Sequence, residues 1–170
     1  MFVVVVTGAP GSGKTLTTTV LSDALADDGV AHAGVDVDEV AWAYPYPSVE
    51  ERVALLANGA EAHRRRGHEL LLVAEVIESP GHLRALLEAA GATDHLLVRL
   101  FAHRQTLRER IVAREPPGWS GLDQLLEKSD VWASELEKLD GVHLALDTEQ
   151  HPPDELARRI RAERPDKLGG

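Results

Sequence analysis

The sequence predicts an α/β protein with a five-stranded parallel sheet, doubly wound into three layers. Short apolar runs alternate along the 170 residues with segments of helical periodicity, a pattern typical of strands buried between crossover helices. Gly29, Gly67, Gly91 and Gly141 each end a helical segment shortly before an apolar run, as expected of glycine at helix C-termini. A glycine-rich loop joins the first strand to the first helix, and it indicates the same fold class.

The apolar runs define the strands, and the periodic segments between them define the helices. The strands are expected at residues 2–7, 31–35, 70–74, 95–101 and 142–146. Helices are expected from residue 13 or 14 onward and over 48–66, 122–139 and about 153–162. Residues 165–170 have the composition of a frayed tail.

The glycine-rich loop fits the phosphate-binding pattern G-x-x-x-x-G-K-[ST] in full, between a buried strand and a helix. In such a loop the backbone N–H groups converge on a phosphate, and the helix N-terminus adds its positive dipole end. Lys14 is expected to reach the β- and γ-phosphates, and Thr15 to offer its hydroxyl to Mg²⁺. The pattern therefore indicates a P-loop NTPase fold. The predicted nucleotide-binding residues here are Gly8, Ala9, Pro10, Gly11, Ser12, Gly13, Lys14, Thr15 and Leu16.

Polar residues also follow the other predicted strands, at the sheet edge where parallel sheets bind ligands. Asp36 and Asp38 follow the second strand. A carboxylate there would orient an acceptor hydroxyl and take its proton, so both are candidate catalytic and substrate-binding residues. The alternative is that one of the pair is only a helix cap, with Asp38 capping a helix that starts at Glu39. Asp147 and Thr148 follow the fifth strand, where the adenine is often held, and are candidate nucleotide-binding residues.

Two glutamates follow the third strand. Glu75 lies where a carboxylate would hold Mg²⁺ through water or contact the substrate, and Glu78 is the alternative. Both are therefore candidate substrate-binding residues, and Glu75 is also a candidate metal ligand. The competing interpretation is a pair of solvated loop acids. His82 and Arg84, on the next helix, are expected at the surface.

An aromatic cluster follows the two aspartates. Aromatic residues make up only 4% of the sequence, yet Trp42, Tyr44 and Tyr46 fall within five residues, and Pro45 and Pro47 stiffen the same stretch. Flat side chains beside a substrate carboxylate suggest a wall for a ring such as a sugar or a base, which makes Trp42 and Tyr44 candidate substrate-binding residues. Alternatively, the cluster fastens the helix over 48–66 to the body.

An arginine-rich helix follows the fourth strand. Arg110 and Arg114 are four residues apart and share a helix face, from which they could neutralise charge on a transferring phosphoryl group. Residues 115–121 are rich in Pro and Gly and break the helix. We therefore expect a mobile lid at about 104–121. The alternative is a surface helix held by salt bridges.

Composition limits the function classes. The net charge of −10 argues against general nucleic-acid binding. The chain has no cysteine and no 18-residue apolar stretch. We also expect no signal peptide, because the first strand leads straight into the phosphate-binding loop. We expect one cytoplasmic domain over residues 1–170, without nucleic-acid or membrane partners, as a monomer or homodimer that acts on a small molecule.

With these motifs in place, the chain resembles the P-loop kinases of small molecules and nucleotides, such as shikimate kinase, gluconate kinase, adenylylsulfate kinase and chloramphenicol phosphotransferase. The resemblance rests on the loop over 8–15, the Asp36-x-Asp38 pair, Arg110-x-x-x-Arg114 and Leu146-Asp147-Thr148. It implies strand order 2-3-1-4-5, with ATP and Mg²⁺ as cofactors and a hydroxyl or phosphate as acceptor. Ala74-Glu75-Val76 replaces the glycine triplet of shikimate kinase, which leaves the acceptor open.

Two functions remain open at this point. The first is ATP-dependent transfer of a γ-phosphate to a hydroxyl of a small molecule such as a nucleoside, a sugar or an antibiotic, with a nucleotide-sugar acceptor as a variant. The second is a nucleotide-binding switch or NTPase that acts on a protein partner. A guanine-nucleotide switch normally carries an N-K-x-D motif, which this sequence lacks.

Overall fold

Five apolar strands form one parallel sheet in the computed structural model, which describes residues 1–169. The strand order is β2-β3-β1-β4-β5, and every pairing is parallel. This confirms the predicted doubly wound fold and its strand order. The strands are β1 (Phe2–Thr7), β2 (Ala33–Asp36), β3 (Leu70–Ala74), β4 (Asp94–Phe101) and β5 (Leu144–Asp147).

Helices connect the strands and cover both faces of the sheet. The four glycines predicted to end helical segments all have positive φ, between 65° and 86°, which a residue with a Cβ rarely adopts. No helix among the described residues is long and apolar enough to cross a membrane. The helices are α1 (Lys14–Asp27), α2 (Val37–Val40), α3 (Val49–Arg65), α4 (Pro80–Ala90), α5 (Arg104–Arg114), α6 (Leu122–Glu135), α7 (Pro153–Glu163) and α8 (Pro165–Leu168), with a 3₁₀ turn at Leu136–Lys138.

The central strand β1 divides two hydrophobic cores. Its residues are all buried, and alternate side chains point to opposite faces. Val4 and Val6 pack in the core that includes residues of α1 and α7. Val3 and Val5 pack in the core that includes residues of α3 and α4. The loop that follows β1 therefore begins at the end of the central, fully buried strand of the sheet.

Hydrogen bonds tie the end of β3 to the start of this loop. Val6 pairs with Ala74 in the parallel register, and the next backbone N–H, that of Glu75, donates to Val6 O at 3.2 Å. The Ile77 N–H donates to the buried Thr7 Oγ1 at 3.0 Å. These contacts place the segment over 75–78 directly beside the phosphate-binding loop.

The C-terminal segment differs from the prediction of a frayed tail. Pro165–Leu168 forms a short helix, and the Leu168 side chain is fully buried in the core beside α7. Arg161 Nε donates to the carbonyls of Leu168 at 3.0 Å and Gly169 at 2.8 Å. The packing of Leu168 and the hydrogen bonds from Arg161 therefore fix residues 165–169, although their composition alone predicts a frayed tail. Gly170 lies outside the described residues.

The buried strand β3 offers a matched test of these cores. Leu72→Ala removes a side chain with no exposure, and it is expected to lower the free energy of unfolding by about 2–5 kcal/mol because a cavity remains. Leu55→Ala on α3, where the leucine is 38% exposed, should cost about 1 kcal/mol or less. Urea unfolding of both variants measures the difference, and equal losses would contradict the assigned core.

Candidate functional site

The phosphate-binding loop, residues 8–15, packs so closely that two of its glycines have no room for a side chain. A Cβ on Gly8 would lie 2.7 Å from the carbonyl oxygen of Leu100, and a Cβ on Gly11 would lie 2.7 Å from that of Leu107. Gly11 also has a φ of 83°. Ser129 on α6 donates a hydrogen bond to Pro10 O at 2.8 Å. The loop is therefore fixed between β4, α5 and α6.

The loop leads into a helix N-terminus that suits an anion. Gly13 precedes α1, and no side chain caps this helix, so its first N–H groups are free to face a ligand. Lys14 is 8% exposed, and its Nζ donates to Gly8 O at 2.9 Å. Burial lowers the pKa of Lys14, and nearby carboxylates, Asp38 foremost, oppose that shift. A buried ammonium and an uncapped helix end together fit a polyphosphate.

Thr15 and Asp36 form a pair beside this loop. The Thr15 hydroxyl donates to Asp36 Oδ2 at 2.6 Å. The other carboxylate oxygen, Oδ1, accepts from the Asp38 N–H at 3.1 Å and caps α2. The sequence left open which aspartate caps a helix, and the structure gives that role to Asp36, with the helix starting at Val37. A hydroxyl and a carboxylate at this spacing are oxygen ligands of the kind that Mg²⁺ prefers, directly or through water.

Asp38 is an exposed residue that lines the cavity, and an aromatic side chain holds it. The Tyr46 hydroxyl donates to Asp38 Oδ1 at 2.9 Å. Burial and the neighbouring Asp38 raise the pKa of Tyr46, which keeps that hydroxyl a donor. Two cations contact the Tyr46 ring, since Arg52 and Lys128 each lie 5.4 Å from its centroid. Asp38 thus has a fixed orientation and one oxygen left for another partner.

A buried arginine connects the two glutamates that follow β3. Arg52 on α3 is 5% exposed. Its Nε lies 3.3 Å from Glu75 Oε1, its Nη2 binds Glu78, and its Nη1 donates to Pro47 O at 3.2 Å. The contact with Glu75 is an ion pair whose angle falls short of a hydrogen bond. Arg52 was not singled out from the sequence, because no local pattern distinguishes it from a surface arginine of an amphipathic helix.

Glu75 is an unusual carboxylate. It is 1% exposed, and its Oε2 has no hydrogen-bond partner within the part of the chain that the structure describes. Burial raises the pKa of Glu75 to about 7, although Arg52 opposes that shift. Glu78 is instead oriented by its neighbours, since its N–H donates to His82 Nδ1 at 3.2 Å. His82 was expected at the surface, but it is 4% exposed.

One cavity of about 1060 Å³ brings most of the predicted site together. Among the predicted substrate residues, Asp38, Trp42, Glu75 and Glu78 line it, whereas Asp36 reaches the site through Thr15. Tyr44 is fully exposed and does not line the cavity, and the next aromatic residue, Tyr46, takes that place. Outside the loop and α1, the lining comprises Asp38, Trp42, Tyr46, Arg52, Glu75, Val76, Glu78, Arg110, Arg114, Trp119, Leu125, Lys128 and Trp132.

The arginines of α5 divide into two sets. Arg110 Nη1 donates to Thr148 Oγ1 at 2.7 Å, and its Nη2 donates to Thr148 O at 2.9 Å. Arg110 and Arg114 both line the large cavity, although Arg114 also pairs with Glu115. Arg108 faces away and pairs with Asp130 on α6 at 2.8 Å. The salt-bridged alternative therefore describes Arg108, and the pair with Glu115 fits it for Arg114 as well. Arg110 and Arg114 line the cavity beside the phosphate-binding loop, and a contact of either with phosphate stays a prediction.

Two smaller cavities flank the loop on the side of β5. One, of about 480 Å³, is lined by Ser12, Gly13, Leu16, Arg110 and Thr148 among others. The other, of about 320 Å³, is lined by Ala9, Ser12 and Asp147 among others. Most of the predicted nucleotide-binding residues therefore line one or more of the three cavities. Arg110 lines both the large cavity and the cavity that contains Thr148. Ser12 Oγ is buried and has no partner among residues 1–169.

No family model matches the sequence, and no curated protein matches it. Solved structures do match over nearly the whole chain. A sugar kinase from a Janibacter species aligns with a TM-score of 0.68 and 20% identity, over 95% of this chain and 93% of its own. A gluconokinase from Sinorhizobium meliloti aligns with a TM-score of 0.61 and 23% identity, over 94% and 89%.

The APS kinase from Mycobacterium tuberculosis, solved in complex with AMPPNP and APS, aligns with a TM-score of 0.62. Its identity is 20%, over 94% of this chain and 95% of that one. At such identities these likenesses establish the fold alone, which this chain shares with those kinases. They confirm at the level of the fold the resemblance that the sequence motifs indicate.

The raised pKa of Glu75 predicts a pH-dependent stability. Since the pKa rises in the fold from its ordinary 4.5 to about 7, the native state holds this proton more tightly than the unfolded chain does. The free energy of unfolding of the wild type therefore falls as the pH rises through that interval. Glu75→Gln removes this dependence, so the variant should gain about 2 kcal/mol on the wild type between about pH 5 and about pH 8.

Urea unfolding at a series of pH values measures this gain. Glu88→Gln, at an exposed glutamate on α4, is the control and should follow the wild type. A Glu75→Gln curve parallel to that of the wild type would contradict the burial of an ionisable Glu75.

Proposed function

We propose that this chain is an ATP-dependent kinase that transfers a γ-phosphate to a hydroxyl group of a small molecule. The observation that carries the proposal is a single cavity that contains both Lys14 and Thr15 of the phosphate-binding loop and the oriented carboxylate Asp38. A phosphate donor and a hydroxyl acceptor bound in this cavity would meet at Asp38. The kinases that share this fold agree with the reaction type.

The residues of the loop fit ATP and Mg²⁺. The triphosphate would lie on the backbone N–H groups of the loop and α1, with Lys14 turned from Gly8 O to the phosphate oxygens. Thr15 and Asp36 would hold Mg²⁺, which supplies charge neutralisation on the phosphates. Glu75 is engaged by Arg52, so we assign it to the acceptor side rather than to the metal. Thr148 would contact the nucleoside.

Asp38 is the candidate base. The chain holds one of its oxygens through Tyr46, so the carboxylate is oriented before any substrate arrives. In phosphoryl transfer the protein mainly positions the groups and stabilises charge, and a carboxylate orients the acceptor hydroxyl and accepts its proton. Trp42 and Tyr46 would form the wall for the acceptor. Asp36 acts beside Asp38 through its bonds to Thr15 and to the Asp38 N–H.

Arg110 and Arg114 would act from a lid that consists of α5 and the segment over 115–121. Both line the cavity beside Lys14, and guanidinium groups there would stabilise the charge on the equatorial phosphoryl oxygens. The Pro- and Gly-rich segment contains Gly118 with a φ of 78° and a half-exposed Trp119. We propose that closure of this segment excludes water from the transfer.

A switch that acts on a protein partner is the alternative function. Trp42 is 92% exposed and Tyr44 is fully exposed, as a protein-binding surface would require. The cavity of about 1060 Å³, which three carboxylates line, favours a small-molecule acceptor over this alternative. ADP release that depends on a small acceptor distinguishes the two functions.

The base assignment predicts a loss of turnover. Asp38→Asn should lower acceptor-dependent turnover by about 10²-fold or more, because the amide cannot take the proton, while ATP affinity stays within about threefold. A coupled assay for ADP release measures this with ATP, Mg²⁺ and pools of nucleosides, sugars, sugar acids and antibiotics. Asp23→Asn, at an exposed site on α1, is the matched control. An Asp38→Asn enzyme with normal turnover would remove Asp38 as the base.

The two sets of arginines on α5 predict contrasting variants. Arg110→Ala should lower kcat by about 10²-fold, the scale for loss of one contact to the transferring group. Arg108→Ala, whose guanidinium pairs with Asp130, should leave kcat within about twofold. The same ADP-release assay, run with the pool that stimulates the wild type, compares them. Equal effects of the two substitutions would refute the assignment of Arg110 to the phosphate side.

A further inference from the structure

The part of the large cavity away from the phosphate-binding loop, here called the acceptor end, is lined by charged residues that would not contact the nucleotide. Lys14, Arg110 and Arg114 lie at the phosphate-binding loop and α5, where they would serve the nucleotide. The remaining carboxylates of the lining are Asp38, Glu75 and Glu78, and the remaining cations are Arg52 and Lys128. The chemistry of the acceptor depends on which of these charges are available to it.

Arg52 is not available to an anionic group. Each of its three guanidinium nitrogens faces an oxygen of the chain itself, on Glu75, Glu78 or Pro47. The side chain is 5% exposed, so its charge is compensated within the protein. Arg52 therefore positions the two glutamates and does not serve as a receptor for a substrate carboxylate or phosphate.

Lys128 is the other cation, and it lies at the exposed rim of the cavity. Its Nζ is 5.4 Å from the centroid of the Tyr46 ring. An exposed, flexible ammonium at a rim contributes little to the affinity of a bound anion. Arg52 compensates only one of the two glutamates that it contacts, so an anionic acceptor would still meet Asp38 and one further carboxylate. Repulsion of this kind is a usual means of excluding a ligand.

Glu75 Oε2 indicates that the acceptor carries a hydrogen-bond donor. The Glu75 side chain lines the cavity and is only 1% exposed, and this oxygen has no hydrogen-bond partner among the described residues. Buried carboxylate oxygens without a donor are costly and are normally paired. A hydroxyl or an ammonium group on the bound acceptor would donate the hydrogen bond that Glu75 Oε2 lacks.

The aromatic lining indicates the shape of the acceptor. Trp42, Tyr46, Trp119 and Trp132 all line the cavity. Flat aromatic faces bind the apolar face of a ring, and the electron-rich ring systems also attract cations. Aromatic walls together with three carboxylates are therefore suited to a ring that carries hydrogen-bond donors at its edge.

From these observations we infer that the acceptor is an uncharged or cationic ring compound with several hydroxyl or amino donors, and that acceptors bearing a carboxylate or phosphate are excluded. The inference rests on the proposed function, whose acceptor class it specifies. Glu75 and Glu78 are the residues that discriminate, and Arg52 acts through them.

The test uses the intrinsic fluorescence of the protein, because all three tryptophans of the chain line this cavity. The full-length protein saturated with Mg²⁺ and AMPPNP is titrated with glucosamine, glucose and glucuronate, which are pyranoses of similar size and differ in charge. Glucosamine and glucose should each bind about tenfold or more tightly than glucuronate, the scale of one hydrogen bond to a charged group. Preference for glucuronate, equal responses or no response to any probe would overturn the inference.

Three variants assign the discrimination to residues. Glu75→Gln and Glu78→Gln each leave Arg52 one carboxylate partner, and each should weaken glucosamine binding by about tenfold. Lys128→Ala is the control and should leave the preference over glucuronate unchanged. If glucuronate binding instead depends on Lys128, the cavity accepts anions and the inference fails.

Phosphoryl transfer is measured separately, so the two claims fail independently. With ATP in place of AMPPNP, transfer to glucuronate would refute the charge selectivity while supporting the kinase. Selective binding of glucosamine and glucose, with no transfer to any acceptor of the ADP-release pools, would support the charge selectivity and count against the kinase.

Discussion

Charge compensation around the buried Lys14 is the constraint on which the rest of the site depends. The end of β1 brings this ammonium into a region that is nearly closed to water, where an uncompensated charge is costly. Asp36 and Asp38 lie at and just after the end of β2, and Glu75 follows β3. These residues lie near Lys14 because parallel strands end at the same edge of the sheet. The carboxylates in turn need partners of their own, which Thr15, Tyr46 and Arg52 provide.

This chain of partners gives each carboxylate a different environment, and we propose a different role for each. Asp36 is bound to Thr15 and to the start of α2, and we propose it for the metal side of the site. Asp38 has one oxygen held by Tyr46 and lines the cavity, as the proposed base should. Glu75 is buried against Arg52 and retains one oxygen without a partner among the described residues. Environment, rather than residue type, would separate the three proposed functions.

The sequence predicts the parallel sheet, the order of its strands and the phosphate-binding loop, because these depend on local patterns and on one specific motif. It singled out Asp38, Glu75 and Glu78, which line the cavity, because they lie within a few residues of the end of a strand. It missed Arg52, whose position depends on how α3 packs against α4 and β2, and chose Tyr44 where Tyr46 lines the cavity. Leu168 shows the same limit, because it is buried in a core with residues of β1 and α1, which lie far from it in the sequence.

The most direct test of the account follows the γ-phosphate itself. Wild-type protein is incubated with γ-labelled ATP, Mg²⁺ and the pooled acceptors, and the label is separated into acceptor product and inorganic phosphate. The account predicts label in a small-molecule product, and loss of that product in Asp38→Asn and in Lys14→Met. Label that appears only as inorganic phosphate, at a rate that no acceptor changes, would contradict a kinase and favour a nucleotide-driven switch.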